Sequence, residues 1–121
     1  MSATSRAQAD IERFQMVGQD LPHLLDQWVE AQPDTPLLVW EPRDGNTVSW
    51  TYREFRDETM RIAAGLVDRG VKLGDKVLIH ADNCPEMVLA WYACARIGAV
   101  GVTTNTRSVA NEVAYFADHT K

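Results

Sequence analysis

The chain has 121 residues, 45% hydrophobic and 24% charged, the content of an ordinary globular protein of about one domain. Twelve basic and seventeen acidic residues give a net charge of −5, and the basic residues are scattered along the chain. This composition argues against nucleic acid or an anionic membrane as a partner, because both need Lys and Arg gathered on one face.

The longest uninterrupted apolar run, residues 87–95, has nine residues, less than half of the ~20 needed by a membrane-spanning helix. The first twenty residues include three acidic side chains and few apolar ones, which fits neither a secretory signal nor a transit peptide. We therefore expect a cytoplasmic protein with no membrane span. Residues 1–19 are expected to form a polar tail or a short helix around residues 11–16.

A helix and a β-hairpin are predicted next. Asp20 is a candidate N-cap, and the apolar residues that follow have helical spacing. Residues 37–41 and 47–50 flank a turn that contains Asp44, Gly45 and Asn46, so they predict a hairpin. The residues expected on the buried face of the helix are Leu21, Leu24, Leu25, Trp28 and Val29.

A long helix is predicted to begin after Thr51. Thr51 and Glu54 have the spacing of a capping box, in which each side chain satisfies a backbone donor of the first turn. Gly70 fits the C′ position that ends the helix. The inward face is expected to contain Phe55, Ile62, Ala63, Leu66 and Val67.

The second half of the chain predicts a βαβ unit. Residues 76–81 and 99–104 read as strands on either side of a helix over residues 85–97, and such a crossover makes the strands parallel. Ser108 is expected to cap a last helix. The fold class is therefore α/β, with a β-hairpin and a parallel βαβ unit. Since parallel strands need cover on both faces, the domain reads as incomplete.

Sequence motifs for catalysis are absent. No P-loop, G-x-G-x-x-G or G-x-S-x-G pattern occurs, and the three histidines lack partners at metal-ligand spacing. No catalytic residue and no metal ligand is therefore assigned. His80 is interpreted as a hydrogen-bonded histidine at a strand end, the alternative being a ligand or base.

The cysteines and tryptophans have structural interpretations. Cys84 and Cys94 lie at the start and towards the end of one predicted helix, roughly 15 Å apart, too far to bridge. Cys84 is interpreted as a packed or capping thiol, with a reactive thiol as the alternative. For the tryptophans we favour core packing over a stacking surface; they are Trp28, Trp40, Trp50 and Trp91.

Two loops at the carboxyl ends of the parallel strands are the candidate binding region, because ligands bind at that edge of α/β sheets. They are residues 81–84 and 105–108. Arg107 has a guanidinium able to bind a phosphate beside a helix N-terminus. Its alternative is a solvated loop residue or a surface ion pair, and the alternative for Asn83 is a helix cap.

Four segments taken together resemble the opening of the adenylate-forming superfamily, which includes acyl-CoA synthetases, luciferases and peptide-synthetase adenylation domains. The resemblance covers about residues 20–121. The segments are residues 50–55, 65–77, 83–86 and 95–100.

The resemblance implies the N-terminal portion of an AMP-forming acyl-CoA ligase, with residues 20–121 an incomplete N-terminal subdomain of its AMP-binding domain. This family activates a carboxylic acid with MgATP to an acyl-adenylate, which coenzyme A then converts to a thioester. The family's phosphate loop, magnesium-binding glutamate and adenylation lysine are expected beyond Lys121. The chain alone is therefore expected to be inactive, to bind no cofactor tightly, and to need the remainder of the ligase polypeptide.

The resemblance also implies one site residue. In similar ligases, an arginine in an Asn-Pro-Arg segment approaches the phosphates of coenzyme A, and Asn105-Thr106-Arg107 matches its first and third positions. Thr106 stands in place of the proline.

Two other readings remain. One is a non-catalytic binding or regulatory module that keeps the fold of this segment. The other is a stand-alone nucleotide-binding βαβ domain, against which the missing Gly-rich loop argues.

Overall fold

The computed structural model describes Gln8 and residues 20–121. The predicted helix over residues 11–16 lies outside the described residues, as does the predicted tail apart from Gln8. The elements are α1 (Leu21–Ala31), β1 (Pro36–Trp40), β2 (Val48–Thr51), α2 (Tyr52–Asp68), β3 (Lys76–Ile79), α3 (Pro85–Ile97), β4 (Val100–Thr103) and α4 (Ala110–His119). The predicted α/β class is confirmed.

Local capping signals explain where α1 and α2 begin. The carboxylate of Asp20 accepts a hydrogen bond from the His23 N–H at 2.8 Å. The Thr51 hydroxyl accepts from the Glu54 N–H at 3.1 Å, as predicted. The return contact differs from the prediction, since the Glu54 carboxylate accepts from the Thr51 hydroxyl at 3.2 Å and not from a backbone N–H. Gly70, with φ +91°, follows the C-cap residue of α2.

Two separate two-stranded sheets form. β1 and β2 are antiparallel, with Leu38 opposite Trp50, and make the predicted hairpin. β3 and β4 are parallel, with Ile79 opposite Thr103, and α3 is the crossover between them. The predicted βαβ unit is therefore confirmed. Both of its strands are shorter than predicted: β3 ends at Ile79, and β4 spans Val100–Thr103. The last backbone contact between them is the hydrogen bond from the Thr104 N–H to the Ile79 carbonyl, at 3.1 Å.

The hydrophobic core lies where α1, α2 and α3 meet. Its buried centre consists of Leu25, Val29, Phe55 and Leu89, and each such side chain contributes about 1.5–3 kcal/mol by leaving water. The Phe55 ring meets Tyr92 of α3 edge to face, with the ring centroids 5.1 Å apart.

The prediction that Trp28 and Trp91 point into the core is wrong. Their exposed fractions are 45% and 47%. Each lies at the margin of its helix's apolar face, where a neighbouring aromatic residue covers one side: Trp28 stacks on Tyr52, and Trp91 lies edge-on to Tyr92. Val67, predicted on the inner face of α2, is also exposed.

The start of α4 differs from the prediction. Its N-cap is Val109 and not Ser108, and the Val109 carbonyl accepts the first helical hydrogen bonds, from the Glu112 and Val113 N–H groups at 3.0 and 3.1 Å. Ser108 belongs to the preceding turn, where its N–H donates to the Asn105 carbonyl at 2.9 Å. Val113 and Phe116 are only half-buried, and no residue of α4 is fully buried among the described residues. None of the helices in the described part of the chain is long and apolar enough to cross a membrane.

Candidate ligand site at the strand ends

The predicted meeting of two loops at the carboxyl ends of β3 and β4 is present in the structure. The Thr106 hydroxyl, after β4, donates to the Asp82 carboxylate, after β3, at 2.7 Å. Between the loops lies a hollow of about 380 Å³. Its lining consists of Ala81, Asp82, Asn83, Met87, Thr103, Thr104, Asn105 and Thr106. A mixed lining of hydroxyl, amide and carboxylate groups can bind a polar ligand.

His80 contacts the end of β4 beside this hollow. Its Nδ1 lies 2.6 Å from the Thr104 Oγ1, and the Thr104 backbone N–H donates to the Ile79 carbonyl. His80 thus has the hydrogen-bond partner that the structural interpretation expects. Within residues 20–121, no group of three or more His, Cys, Asp or Glu side chains is arranged to hold a metal ion.

Arg107 follows the hollow's last lining residue and lies on its rim. Its backbone N–H donates to the Asn105 side-chain oxygen at 3.0 Å, which fixes the turn through residues 105–108. Its side chain is exposed and makes no hydrogen bond or salt bridge with any described residue. The surface ion pair considered for Arg107 is therefore not found in this part of the chain. The exposed guanidinium fits both a solvated loop residue and a cation accessible to a ligand.

The N-terminus of α3 is capped differently from the prediction for Asn83. The N-cap position belongs to Cys84, without a side-chain hydrogen bond, so the interpretation of Asn83 as the cap is wrong. Cys84 is a half-buried free thiol, and Cys94 is a fully buried one. Burial raises the pKa of Cys94.

The Thr106–Asp82 contact was not predicted from the sequence. Its partners lie 24 residues apart, on loops whose separation depends on how β3 and β4 pair. Only one feature of the sequence pointed to Thr106 as a site residue, its place in the Asn-Thr-Arg segment. For Asp82 the only indication was its position after a predicted strand.

Comparison with known proteins gives one family. The model of the family described as AMP-binding enzyme matches residues 25–121. Crotonobetaine/carnitine–CoA ligase from Salmonella paratyphi A (strain ATCC 9150 / SARB42) is 32% identical over 104 residues, 86% of this chain. That match is 20% of the relative, so the chain spans about a fifth of the length of the curated relatives it matches.

Solved structures agree with this assignment. The Klebsiella oxytoca NpsA N-terminal subdomain, in complex with 3-hydroxyanthranilyl-AMSN, is similar with a TM-score of 0.74 and 27% identity, over 83% of this chain and 24% of that one. A Mycobacterium tuberculosis fatty acyl CoA synthetase has a TM-score of 0.71 and 32% identity, over 78% of this chain and 18% of that one.

Proposed function

Because the chain belongs to the AMP-binding enzyme family, we propose that residues 20–121 form an incomplete N-terminal subdomain of an ATP-dependent acyl-CoA ligase. In this reaction, a carboxylate oxygen attacks the α-phosphorus of ATP and pyrophosphate leaves. The thiol of coenzyme A then attacks the acyl carbon, AMP leaves, and a thioester remains. The names of the relatives, a CoA ligase and a fatty acyl CoA synthetase, support this class of reaction.

One observation links the proposed function to a particular residue of this chain. Arg107, next to the lining residue Thr106 of the hollow between the strand-end loops, has an exposed guanidinium with no partner within residues 20–121. A guanidinium binds phosphate oxygens through two parallel hydrogen bonds. We assign Arg107 to a phosphate group of coenzyme A, and we assign no catalytic residue and no metal ligand to this chain.

The remaining machinery belongs, in this proposal, to the rest of the ligase polypeptide. The ATP and Mg²⁺ contacts and the groups that catalyse adenylation are expected there, so the 121 residues alone do not turn over substrate. The carboxylic acid is expected to bind across residues that this chain does not contain.

The reading frame downstream of the Lys121 codon is the first test. A Ser/Thr/Gly-rich segment ending in Gly-x-Pro-Lys, in frame, supports the ligase. A stop codon at that point contradicts it and favours the non-catalytic binding module.

The second test asks whether Arg107 binds coenzyme A in the full ligase polypeptide. Arg107→Gln is expected to raise the KM for coenzyme A by about 10-fold, the loss of one charge-assisted contact. Acid-dependent exchange of pyrophosphate into ATP should be unchanged, because adenylation precedes coenzyme A binding. The control is Arg43→Gln, which removes another exposed arginine, in the hairpin turn. Equal KM values for Arg107→Gln and the wild type would show that Arg107 does not bind coenzyme A.

A further inference from the structure

The loop that carries Arg107 is held at its outer end by one side-chain contact. Among the hydrogen bonds of the described residues, only Thr106 to Asp82, at 2.7 Å, joins segment 105–108 to segment 81–84. The other links between the strand ends lie deeper, at Thr104, which contacts Ile79 and His80. Beyond Thr104, the turn depends on the Thr106 hydroxyl for its attachment to the rest of the fold.

Arg107 cannot orient its own side chain, since the guanidinium has no partner among the described residues. The fold therefore fixes only the backbone position from which this side chain extends. That backbone is fixed by two hydrogen bonds to Asn105: the Arg107 N–H donates to the side-chain oxygen at 3.0 Å, and the Ser108 N–H donates to the carbonyl at 2.9 Å. Both bonds are internal to the turn, so they define its shape and leave its position relative to β3 open.

We propose that Thr106 and Asp82 form a clamp that positions the 105–108 turn, so that Arg107 meets a phosphate of the thiol co-substrate at the rim of the hollow. This inference rests on the proposed function. Thr106 and Asp82 are positioning residues and touch no reacting atom. The clamp raises affinity by holding the cation in place before binding, which lowers the ordering cost of the complex.

Paired variants separate the hydrogen bond from charge and shape. Thr106→Val keeps the branched side chain and loses the donor, whereas Thr106→Ser keeps the donor. Asp82→Ala loses the acceptor, whereas Asp82→Asn keeps an accepting oxygen and loses the charge. Thr47→Val is the matched control, because Thr47 is an exposed loop threonine whose side chain makes no hydrogen bond with a described residue.

The first readout is hydrogen exchange at the Arg107 and Ser108 amides in the full ligase polypeptide, which reports the clamp whether or not the enzyme reacts. Thr106→Val and Asp82→Ala are expected to speed this exchange by about 3- to 10-fold, in line with the loss of one hydrogen bond. Thr106→Ser, Asp82→Asn and Thr47→Val should resemble the wild type. Unchanged exchange in Thr106→Val overturns the clamp.

The second readout is the KM for coenzyme A set against kcat. The two variants that lose the hydrogen bond should raise this KM by about 3- to 10-fold with little change in kcat. The double variant Thr106→Val/Asp82→Ala should lose no more than either single variant, because both break one contact. Faster amide exchange with an unchanged KM for coenzyme A would overturn the positioning role but would not contradict the proposed ligase function. A wild-type polypeptide that forms adenylate but no thioester overturns the proposed function together with that role.

Discussion

Arg96 of α3 forms two hydrogen bonds with Asp26 of α1, at 2.8 and 2.9 Å, across 70 residues of sequence. The Arg96 side chain is 17% exposed and the Asp26 side chain 44% exposed. A guanidinium that engages both oxygens of a carboxylate is a stronger and more directional contact than a single surface ion pair. This contact joins the first described helix to the helix of the βαβ unit.

Removal of this pair is expected to lower the stability of the chain. Arg96→Met keeps the aliphatic stem and loses both hydrogen bonds, so the free energy of unfolding should fall by about 1–2 kcal/mol. Urea denaturation measures the change. Arg61→Met is the matched control: Arg61 pairs with Glu58 on the surface of α2 and is 75% exposed. That variant should change stability by less than about 0.5 kcal/mol. If Arg61→Met lost as much stability as Arg96→Met, the Arg96–Asp26 contact would contribute no more than an exposed surface ion pair.

The same pair predicts a dependence on pH. Hydrogen bonding to Arg96 lowers the pKa of Asp26 below the ordinary value of 3.8 for an aspartate, so the folded state favours the charged carboxylate. The stabilisation is complete at neutral pH, where Asp26 is ionised in both states. It is lost as the pH falls below 3.8 and through the lowered folded-state pKa.

The stability difference between the wild type and Asp26→Asn should therefore be constant from pH 7 to about pH 5 and shrink towards pH 3. Denaturation at each pH measures it. In an Arg96→Met background, the same subtraction should give a much weaker pH dependence. A difference that grows on acidification contradicts this account.

Gly101 is expected to accept a side chain only at a cost, because the Trp91 and Ile79 side chains lie close to β4 there. A Cβ at this position would lie 2.9 Å from Cδ1 of Trp91 and 3.4 Å from Cδ1 of Ile79. Gly101→Ala should cost about 1–3 kcal/mol, the usual cost of overpacking. Trp91→Leu in the same chain should recover part of the loss. Val100→Ala, at an exposed neighbouring position of β4, should have a much smaller effect.

The two thiols are expected to differ in reactivity. Cys94 is buried, with a pKa raised by that burial, whereas Cys84 is half-buried. Titration of the native chain with a thiol-specific disulfide reagent should show one fast thiol. The second thiol should react about 100-fold more slowly, through transient opening of the structure. Cys84→Ser should remove the fast phase alone. Two thiols reacting at similar rates would contradict the packing around α3.

The features predicted correctly depend on short stretches of sequence. Thr51 and Glu54 are three residues apart, and the predicted hydrogen bond from the Glu54 N–H to the Thr51 hydroxyl needs nothing outside that turn. The parallel pairing of β3 and β4 follows from the chain order of strand, helix and strand, because a crossover of that kind fixes the direction of the second strand. The meeting of two loops at one sheet edge follows from the same geometry.

The features missed depend on three-dimensional arrangement. Helical periodicity places Trp28 on the apolar side of α1, but only the positions of the neighbouring helices decide which part of that side is covered. The N-cap of α4 is Val109, one residue later than predicted, since Ser108 lies in the turn that begins at Asn105. The Asp26–Arg96 and Thr106–Asp82 contacts join distant segments, so no local pattern indicates them.

The Asp26–Arg96 contact also places a condition on how the chain folds during its synthesis. Leu25 and Val29 of α1 share their core with Phe55 of α2 and Leu89 of α3, so the apolar face of α1 is fully covered, and Asp26 has its Arg96 partner, only once α3 has been made. At a translation rate of 5–20 residues per second, the 70 residues added after Asp26 to reach Arg96 take about 4–14 seconds. Until α3 is complete, the apolar face of α1 is at most partly covered on the nascent chain and is accessible to a chaperone, and slower translation lengthens the exposure.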